Sequence, residues 1–297
     1  MQLGLFTMNA HSCSRPGTAI EVALAAEAAG FESLWAGEHI VMPEPPVGRE
    51  PLQPKDPILD PLIALAHLAG CTTTIRLATG MLILPLRNPI VLAKEIASLD
   101  VLARGRFLFG FGVGWLRPEF EAAGVPFAGR GQRSDEYLQA MIQLWTASKP
   151  KFEGDYVQFA GVQARPLPTS RPYPKIIVGG ESPPALRRAI ATGHGWFGGI
   201  LKSERWVERQ LAALRQESDR SGRPAHLGKL EITVSLRGDL DLARIERMAD
   251  LGVHRLVILP PAGVHDDELR RWVEDLARRI GSAFTPAPSR DSSPSVS

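Results

Sequence analysis

The sequence predicts a closed (β/α)8 TIM barrel, an α/β fold, and three observations carry that expectation. Eight short apolar runs recur along the 297 residues, most gaps between them hold a helical apolar period, and the two kinds of segment alternate to the end. Strands alternating with helices through one chain of this length suit a ring of parallel strands; a doubly wound open sheet is the weaker alternative.

The runs are QLGLF, SLWAG, RLATGMLIL, RFLFGFG, KIIVG, GWFGG, LEITVSL and RLVIL. After the first, Thr18 and Glu21 have capping-box spacing ahead of Leu24, and Gly30 closes the helix. Asp60-Pro61 opens the next helix and Gly70 closes it. Asn88-Pro89 opens a third, which puts Leu92, Ile96, Leu99 and Ala103 on one face and stops at Gly105. Ser134 precedes Leu138, Ile142 and Trp145, and Ser182-Pro183 precedes Leu186 and Ile190. The last three helices carry Val207, Leu211 and Leu214, then end at Gly252, then carry Leu269, Val273, Leu276 and Ile280. Two connections exceed ordinary barrel loops: a proline-rich insertion after strand two, Ile40 to Asp60, and one after strand four, Lys149 to Tyr173, where FEGDYVQF reads as a hairpin. Both are expected to form the outer wall of a pocket. Residues 1–284 are read as one barrel domain, and the Ser/Pro-rich 285–297 as a disordered tail.

Composition narrows the partner to a small molecule. A net charge of +2 without a dense Lys/Arg run excludes an extended nucleic-acid footprint. Cys13 and Cys71 lack pairing or zinc spacing, no apolar run is long enough for a bilayer, and MQLGLFTMNA lacks a signal-peptide layout, so a cytoplasmic protein is expected. The histidines form no HxH or HxxxH pair, so no metal site is expected.

Barrel active sites lie at the carboxyl ends of the strands, which directs attention to Asn9, Glu38, His39, Gly80, Met81, Gly112 to Trp115 and Gly179 to Ser182. The glycines of RFLFGFGVGW have the wrong spacing for a dinucleotide fingerprint and leave backbone clear for something large and flat. VGGESPPALRR runs from a strand into a helix start and reads either as an anion site or as a tight βα turn. Lys202 is loosely placed for a Schiff base but reads better as a loop lysine before the helix at Ser203.

GFESLWAGEHIVMP, IRLATGMLILPLRNPIVLAKEIASLDVLARGRFLFGFGVGW, RPEFEAAGVPFAGRGQRSDEYLQAMIQLW and PKIIVGGESPPALRRAIATGHGWF resemble, in order, the motifs of the bacterial-luciferase-like monooxygenase superfamily, and most closely its F420-dependent branch. The resemblance covers Leu3 to about Phe197 and continues less distinctly to Gly281. It implies a (β/α)8 barrel whose mouth holds the deazaflavin F420, or alternatively FMN. It places a cis peptide at Gly80–Met81 behind the ring, the Gly112, Val113, Gly114 and Trp115 turn along the cofactor, and Gly179, Gly180 and Ser182 at its phosphate. His39 matches a histidine that handles the proton accompanying hydride transfer, and Glu38 is expected to orient that imidazole or bind cofactor.

F420 implies hydride transfer to or from a small organic substrate; FMN implies a two-component monooxygenase; in either case a reductase supplies reduced cofactor. Homodimers are the family habit. Trp115 stands where some relatives carry a catalytic glutamate, which leaves an inactive cofactor-binding barrel as a further alternative. Glu119, the nearest acid, reads as a first-turn helix residue. His194 replaces a common aspartate. Arg130, Arg133, Asp135 and Glu136 either touch an anionic cofactor tail or cap and pair within their own helix, and the second is expected.

Overall fold

A computed structural model describes residues 1–47, 52–261 and 263–281. In chain order its strands are β1 (Gln2–Leu5), β2 (Ser33–Ala36), β3 (Arg76–Thr79) with a two-residue continuation β4 (Leu82–Ile83), β5 (Phe107–Gly112), a hairpin of β6 (Phe152–Glu153) and β7 (Gln158–Phe159), β8 (Lys175–Gly179), β9 (Gly195–Phe197), β10 (Glu231–Val234) and β11 (Arg255–Ile258). Leaving out β4 and the hairpin, eight strands pair in parallel in the order β3-β2-β1-β11-β10-β9-β8-β5, and β3 pairs with β5 to close the ring. The (β/α)8 barrel is therefore present, with insertions after its second and fourth strands.

Alternation along each strand builds two apolar layers. Trp35, Ala78, Leu108, Ile177, Phe197 and Val257 point inward with Phe6, while Leu34, Leu77, Phe107, Ile176 and Leu256 face the helices. Burying one such large side chain contributes roughly 1.5–3 kcal/mol, more than a single helix cap at about 1 kcal/mol, so the layers dominate the energetics. The helices that cover the ring are α1 (Pro16–Ala28), α2 (Pro61–Cys71), α3 (Pro89–Leu102), α4 (Arg117–Ala122), α5 (Arg130–Thr146), α6 (Pro183–Thr192), α7 (Glu204–Ser221), α8 (Leu242–Asp250) and α9 (Asp267–Ile280).

Local start signals held where a short acceptor preceded a proline. Asp60 Oδ1 accepts from the amides of Leu62 and Ile63, and Asn88 Oδ1 from those of Ile90 and Val91. Two other starts differ from expectation. Pro16, preset for a helix, begins α1 after Arg15, so Thr18 and Glu21 lie inside the helix and form no capping box. Gly129, at φ 72°, lets α5 begin at Arg130; Ser134 is internal and its hydroxyl donates to the Arg130 carbonyl at 2.8 Å. FEGDYVQF does form the hairpin, and Glu136 of α5 accepts amide protons from Asp155, Tyr156 and Val157 in its turn. The expected tail, 285–297, and the domain end at 284 lie outside the described residues. No helix among the described residues is long and apolar enough to cross a membrane.

The amino-terminal rim is tied by a buried pair. Arg255 Nε and Nη2 donate to Glu32 at 2.7 and 2.9 Å, joining β11 to the start of β2 across β1, and Arg255 also reaches Thr233 and Gln2. Burial opposes the Glu32 charge, but Arg255 outweighs it and holds the carboxyl below its usual range. Breaking such a pair from one side costs about 3–5 kcal/mol.

On the same rim, His194 Nδ1 accepts the Ile176 amide at 3.1 Å and His254 Nδ1 accepts that of Ile232 at 3.0 Å. His194 therefore extends the β8–β9 ladder, far from the carboxyl ends where an active site would lie. Burial first, then neighbouring cations, lowers both imidazoles below the ordinary 6.5. The unfolded chain thus binds more protons below pH 6.5, and the stability these groups contribute is complete above that value and lost as pH falls through the folded pKa values. Between pH 7.5 and 5.0, thermal melts of the wild type are expected to fall more steeply than those of a His194→Asn/His254→Asn variant, which keeps acceptors that do not titrate. Equal slopes would clear the two histidines of this role.

Candidate active site

At the carboxyl ends of the strands a cavity of about 1060 Å³ is lined by Glu38, His39, Gly80, Met81, Gly112 to Trp115 and Gly179 to Ser182, while Asn9 does not reach it. Its floor is set by Met81. A non-proline cis peptide joins Gly80 to Met81 between β3 and β4. The Met81 side chain then lies across β5 and β8: a Cβ on Gly110 would come within 2.3 Å of its methyl carbon and one on Gly179 within 2.5 Å of its Cγ. Gly80 has equally little room, pressed on Trp35 and Phe6. The glycines at 110 and 179 are therefore required by protein packing, whereas a Cβ on Gly112 would meet Met81 only at an ordinary 3.6 Å, so that position is held open toward the mouth. Gly114 turns the chain at φ 72°, where its Cβ would strike Phe120 and Ile83.

His39 lies two residues beyond Gly37, whose amide and carbonyl are both clamped by the side chain of buried Asn9. The partner of His39 is Glu119, not Glu38. Glu119, fully buried in α4, accepts the Ile40 amide at 2.6 Å and sits 3.3 Å from His39 Nδ1. It is a first-turn residue as expected, but its carboxylate serves a residue 80 positions away in sequence. Trp115 packs edge-on to the imidazole with ring centres 6.4 Å apart.

The expectation that Glu38 orients His39 is corrected. Side chains alternate beyond β2, with Trp35 facing the barrel interior and Leu34 and Ala36 the helices; continued, that alternation separates Glu38 from His39. The Glu38 carboxylate bonds Arg87, whose Nε lies at 2.8 Å, and the Ile83 amide. Arg87 also holds Asp60, the cap of α2. Burial pushes the Glu38 carboxyl upward against the opposing charge of Arg87. Glu38 thus braces the wall carrying Met81 against two helices.

The arginine segment is likewise corrected: its contacts leave its own helix. Asp135 pairs with Arg188 of α6, Arg133 donates to the Pro126 carbonyl, and Arg130 lines the cavity, with Nε donating to the Gly114 carbonyl at 3.0 Å. Arg130 and Arg117 both stack on Phe127, at 3.8 and 4.5 Å from its centre. Neither forms an ion pair among the described residues, and burial and then Arg117 lower the Arg130 pKa from its ordinary value. A cation without an acid, lining the same cavity as Ser182, suits an anionic group. Pro183 and Pro184 remove two amide donors from the first turn of α6, and the Ser182 hydroxyl caps nothing there, so an anion would depend on that hydroxyl and on Arg130 more than on the helix turn.

The open face at Gly112, with Arg130 and Ser182 on the same cavity, fits a flat ring with a phosphate-bearing tail. No group of three or more His, Cys, Asp or Glu residues able to hold a metal ion occurs among the described residues. Lys202 sits 3.3 Å from Glu181 and over the Trp206 ring, as a loop lysine beside α7. Of the long insertions, only Leu52 of the described residues between 40 and 60 lines the cavity, and the hairpin lies elsewhere, so the expected outer wall is mostly built by other loops.

Gly179→Ala is expected to force Met81 to repack, at a cost of about 1–3 kcal/mol in stability. Gly112→Ala should melt like the wild type, so any ligand affinity it loses reports occupancy of the mouth. Paired thermal melts and ligand titrations check both; an unperturbed melt for Gly179→Ala would remove the Met81 contact as a constraint.

Comparison with known proteins agrees with this geometry. Residues 1–292 match the family model of luciferase-like monooxygenases. Uncharacterized protein Rv0953c of Mycobacterium tuberculosis is 30% identical over 290 residues, covering 94% of this chain and 99% of its own. The FMNH(2)-dependent dimethylsulfone monooxygenase of Pseudomonas putida is 29% identical over 144 residues, 48% of this chain and 39% of that one. Among solved structures, an F420-dependent secondary alcohol dehydrogenase in complex with an F420-acetone adduct superposes with a TM-score of 0.76 at 16% identity over 96% of this chain and 99% of that one, a likeness of fold. With the barrel, the mouth and a family match spanning nearly its whole length, the chain belongs to the luciferase-like monooxygenase family.

Proposed function

We propose that this chain is an F420-dependent oxidoreductase in which His39 exchanges the proton that accompanies hydride transfer and Glu119 positions it. The observation that carries this reading is the His39–Glu119 contact at the cavity: the Nδ1 side of the imidazole is held by a buried carboxylate, which leaves Nε2 as the exchanging nitrogen. When bound, the deazaflavin supplies two-electron hydride chemistry. Gly112 and the turn through Val113, Gly114 and Trp115 would lie along its ring, and Gly179, Gly180, Ser182 and Arg130 would hold its phosphate. His39 Nε2 takes a hydroxyl proton in the oxidising direction and returns it in the reducing one.

FMN is the second reading, favoured by the FMNH(2)-dependent activity of the Pseudomonas relative. The same glycines, Ser182 and Arg130 suit its phosphate, but the chemistry then requires oxygen. When substrate is reduced or oxygenated, either cofactor needs a reductase to supply its reduced form, and a cytoplasmic setting suits that supply. A small organic molecule is the substrate in both readings. Titration of the purified protein with F420 and FMN, each oxidised and reduced, separates them. Selective F420 binding is expected; selective binding of reduced FMN would replace this reading with a two-component monooxygenase. With the preferred cofactor, His39→Ala should keep affinity within a few-fold while turnover falls by about 10²–10⁴. Unchanged turnover would remove the proton role.

The same reading includes a homodimer. Ile63 on α2 and Val91 on α3 are 70% and 55% exposed, and Leu59, Ile90 and Leu102 are exposed on or beside these adjacent helices, an apolar face that suits a second copy. An Ile63→Asp/Val91→Lys variant should sediment as a monomer where the wild type sediments as a dimer. A monomeric wild type would end this part of the reading.

A further inference from the structure

Lys202 lies outside the cavity, yet its ammonium is fixed in place beside it. Its backbone continues the β9–β10 pairing beyond both strands, with its amide donating to the Ser235 carbonyl at 2.8 Å and its carbonyl accepting the Arg237 amide at 2.9 Å. The stem runs past Gly199, where a Cβ would come within 3.2 Å of the Lys202 Cε. The ammonium stands 4.8 Å from the centre of the Trp206 ring and 3.3 Å from Glu181 Oε2. Trp206 in turn stacks on Trp196, with ring centres 6.1 Å apart, and Trp196 Nε1 donates to the Gly180 carbonyl at 2.7 Å. Two tryptophans therefore tie the lysine to the backbone of the loop from Gly179 to Ser182.

That loop carries a charge of the wrong sign for an anion site. Glu181 sits between Gly180 and Ser182, lines the cavity, and has a side chain 53% exposed. A carboxylate there is itself an occupant for any anion position formed by Ser182 and Arg130, and its tether gives it a high local concentration. Arg130 invites it: Nε and Nη1 are taken by the Gly114 and Phe127 carbonyls, and no acid among the described residues offsets the charge. The partner that Glu181 has instead is Lys202.

We infer that Lys202 is a latch that holds Glu181 away from Arg130, and that this ion pair sets how tightly the mouth takes a phosphate-bearing ligand. The inference rests on the reading that Ser182 and Arg130 hold such a group. Lys202 is a positioning residue, since it acts through Glu181 and does not itself line the cavity. With the latch closed, Arg130 is left for the ligand; with it open, Glu181 and the ligand compete for one cation.

The test titrates the full chain with inorganic phosphate by calorimetry, with FMN and F420 as larger probes. Lys202→Met is expected to weaken phosphate binding by about three- to thirtyfold, the range for one charge approaching another near a protein surface. Lys202→Arg keeps the charge and should stay within about twofold. Lys202→Met/Glu181→Gln should return to wild-type affinity or better, because the competitor leaves with the latch. If Lys202→Met melts early, Lys202→Gln serves in its place. A double variant as weak as Lys202→Met, or a Lys202→Met that binds like the wild type, would overturn the latch. A ligand-free measurement separates that failure from failure of the mouth. In the Lys202→Met background, Glu181→Gln and Arg130→Met should shift the melting temperature non-additively, by about 1–3 °C, whereas beside an intact Lys202 the two shifts should add. Additive shifts in both backgrounds would also overturn the latch. Non-additivity confined to Lys202→Met, with no variant binding phosphate, FMN or F420, would keep the latch and remove only the reading of the anion site.

Discussion

The approach of β3 to β5 at Gly110 is the constraint on which the mouth depends. Closing the ring brings the Thr79 carbonyl so near that a Cβ on residue 110 would stand 1.9 Å from it, and the Thr79 hydroxyl completes the contact with Gly110 at 2.6 Å from its carbonyl and 2.9 Å from its amide. Only glycine fits. Because β3 passes so close, Met81 can reach across β5 to Gly179 on β8, and the floor beneath the cavity becomes one continuous packed surface. The glycine run that reads as room for a cofactor is thus partly room for Met81, and only farther along, at Gly112, room for something from outside.

Around that floor the charges are divided by task. Glu38 is spent on Arg87 and the Ile83 amide, which fixes the wall bearing Met81 to α2 and α3. Glu119 is spent on His39 and the Ile40 amide, which fixes that imidazole by its Nδ1 side at the cavity. Arg130 and Arg117 stack on Phe127 and form no ion pair among the described residues, and of the two Arg130 lines the cavity. At the opposite rim, Arg255, Glu32, His194 and His254 are consumed in holding strands together, which is the division of labour between the two ends that parallel barrels impose.

The fold was legible because alternation is a local property. A strand buried on both faces reads as an apolar run, a covering helix reads as a 3.6-residue period, and Asp60-Pro61 or Asn88-Pro89 marks a start within three residues of chain. Starts that lack such a short-range signature, at Arg130 and Pro16, were set by a left-handed glycine and by a proline whose cap makes no side-chain bond. Which strand ends carry the mouth was equally legible, since barrel geometry sends that question to the residues just after each run.

What the sequence by itself determined is the order of strands and helices, the closed ring, and the set of positions that would gather at its carboxyl end. Only the tertiary structure decided which of those residues face one another. Glu38 adjoins His39 in sequence but bonds elsewhere, since successive side chains on extended backbone diverge. Glu119 lies 80 residues from His39 and meets it because both β2 and β5 flank β3, which brings the loops after them together. Pairing of buried charges depends on distance through space, and no local period encodes it.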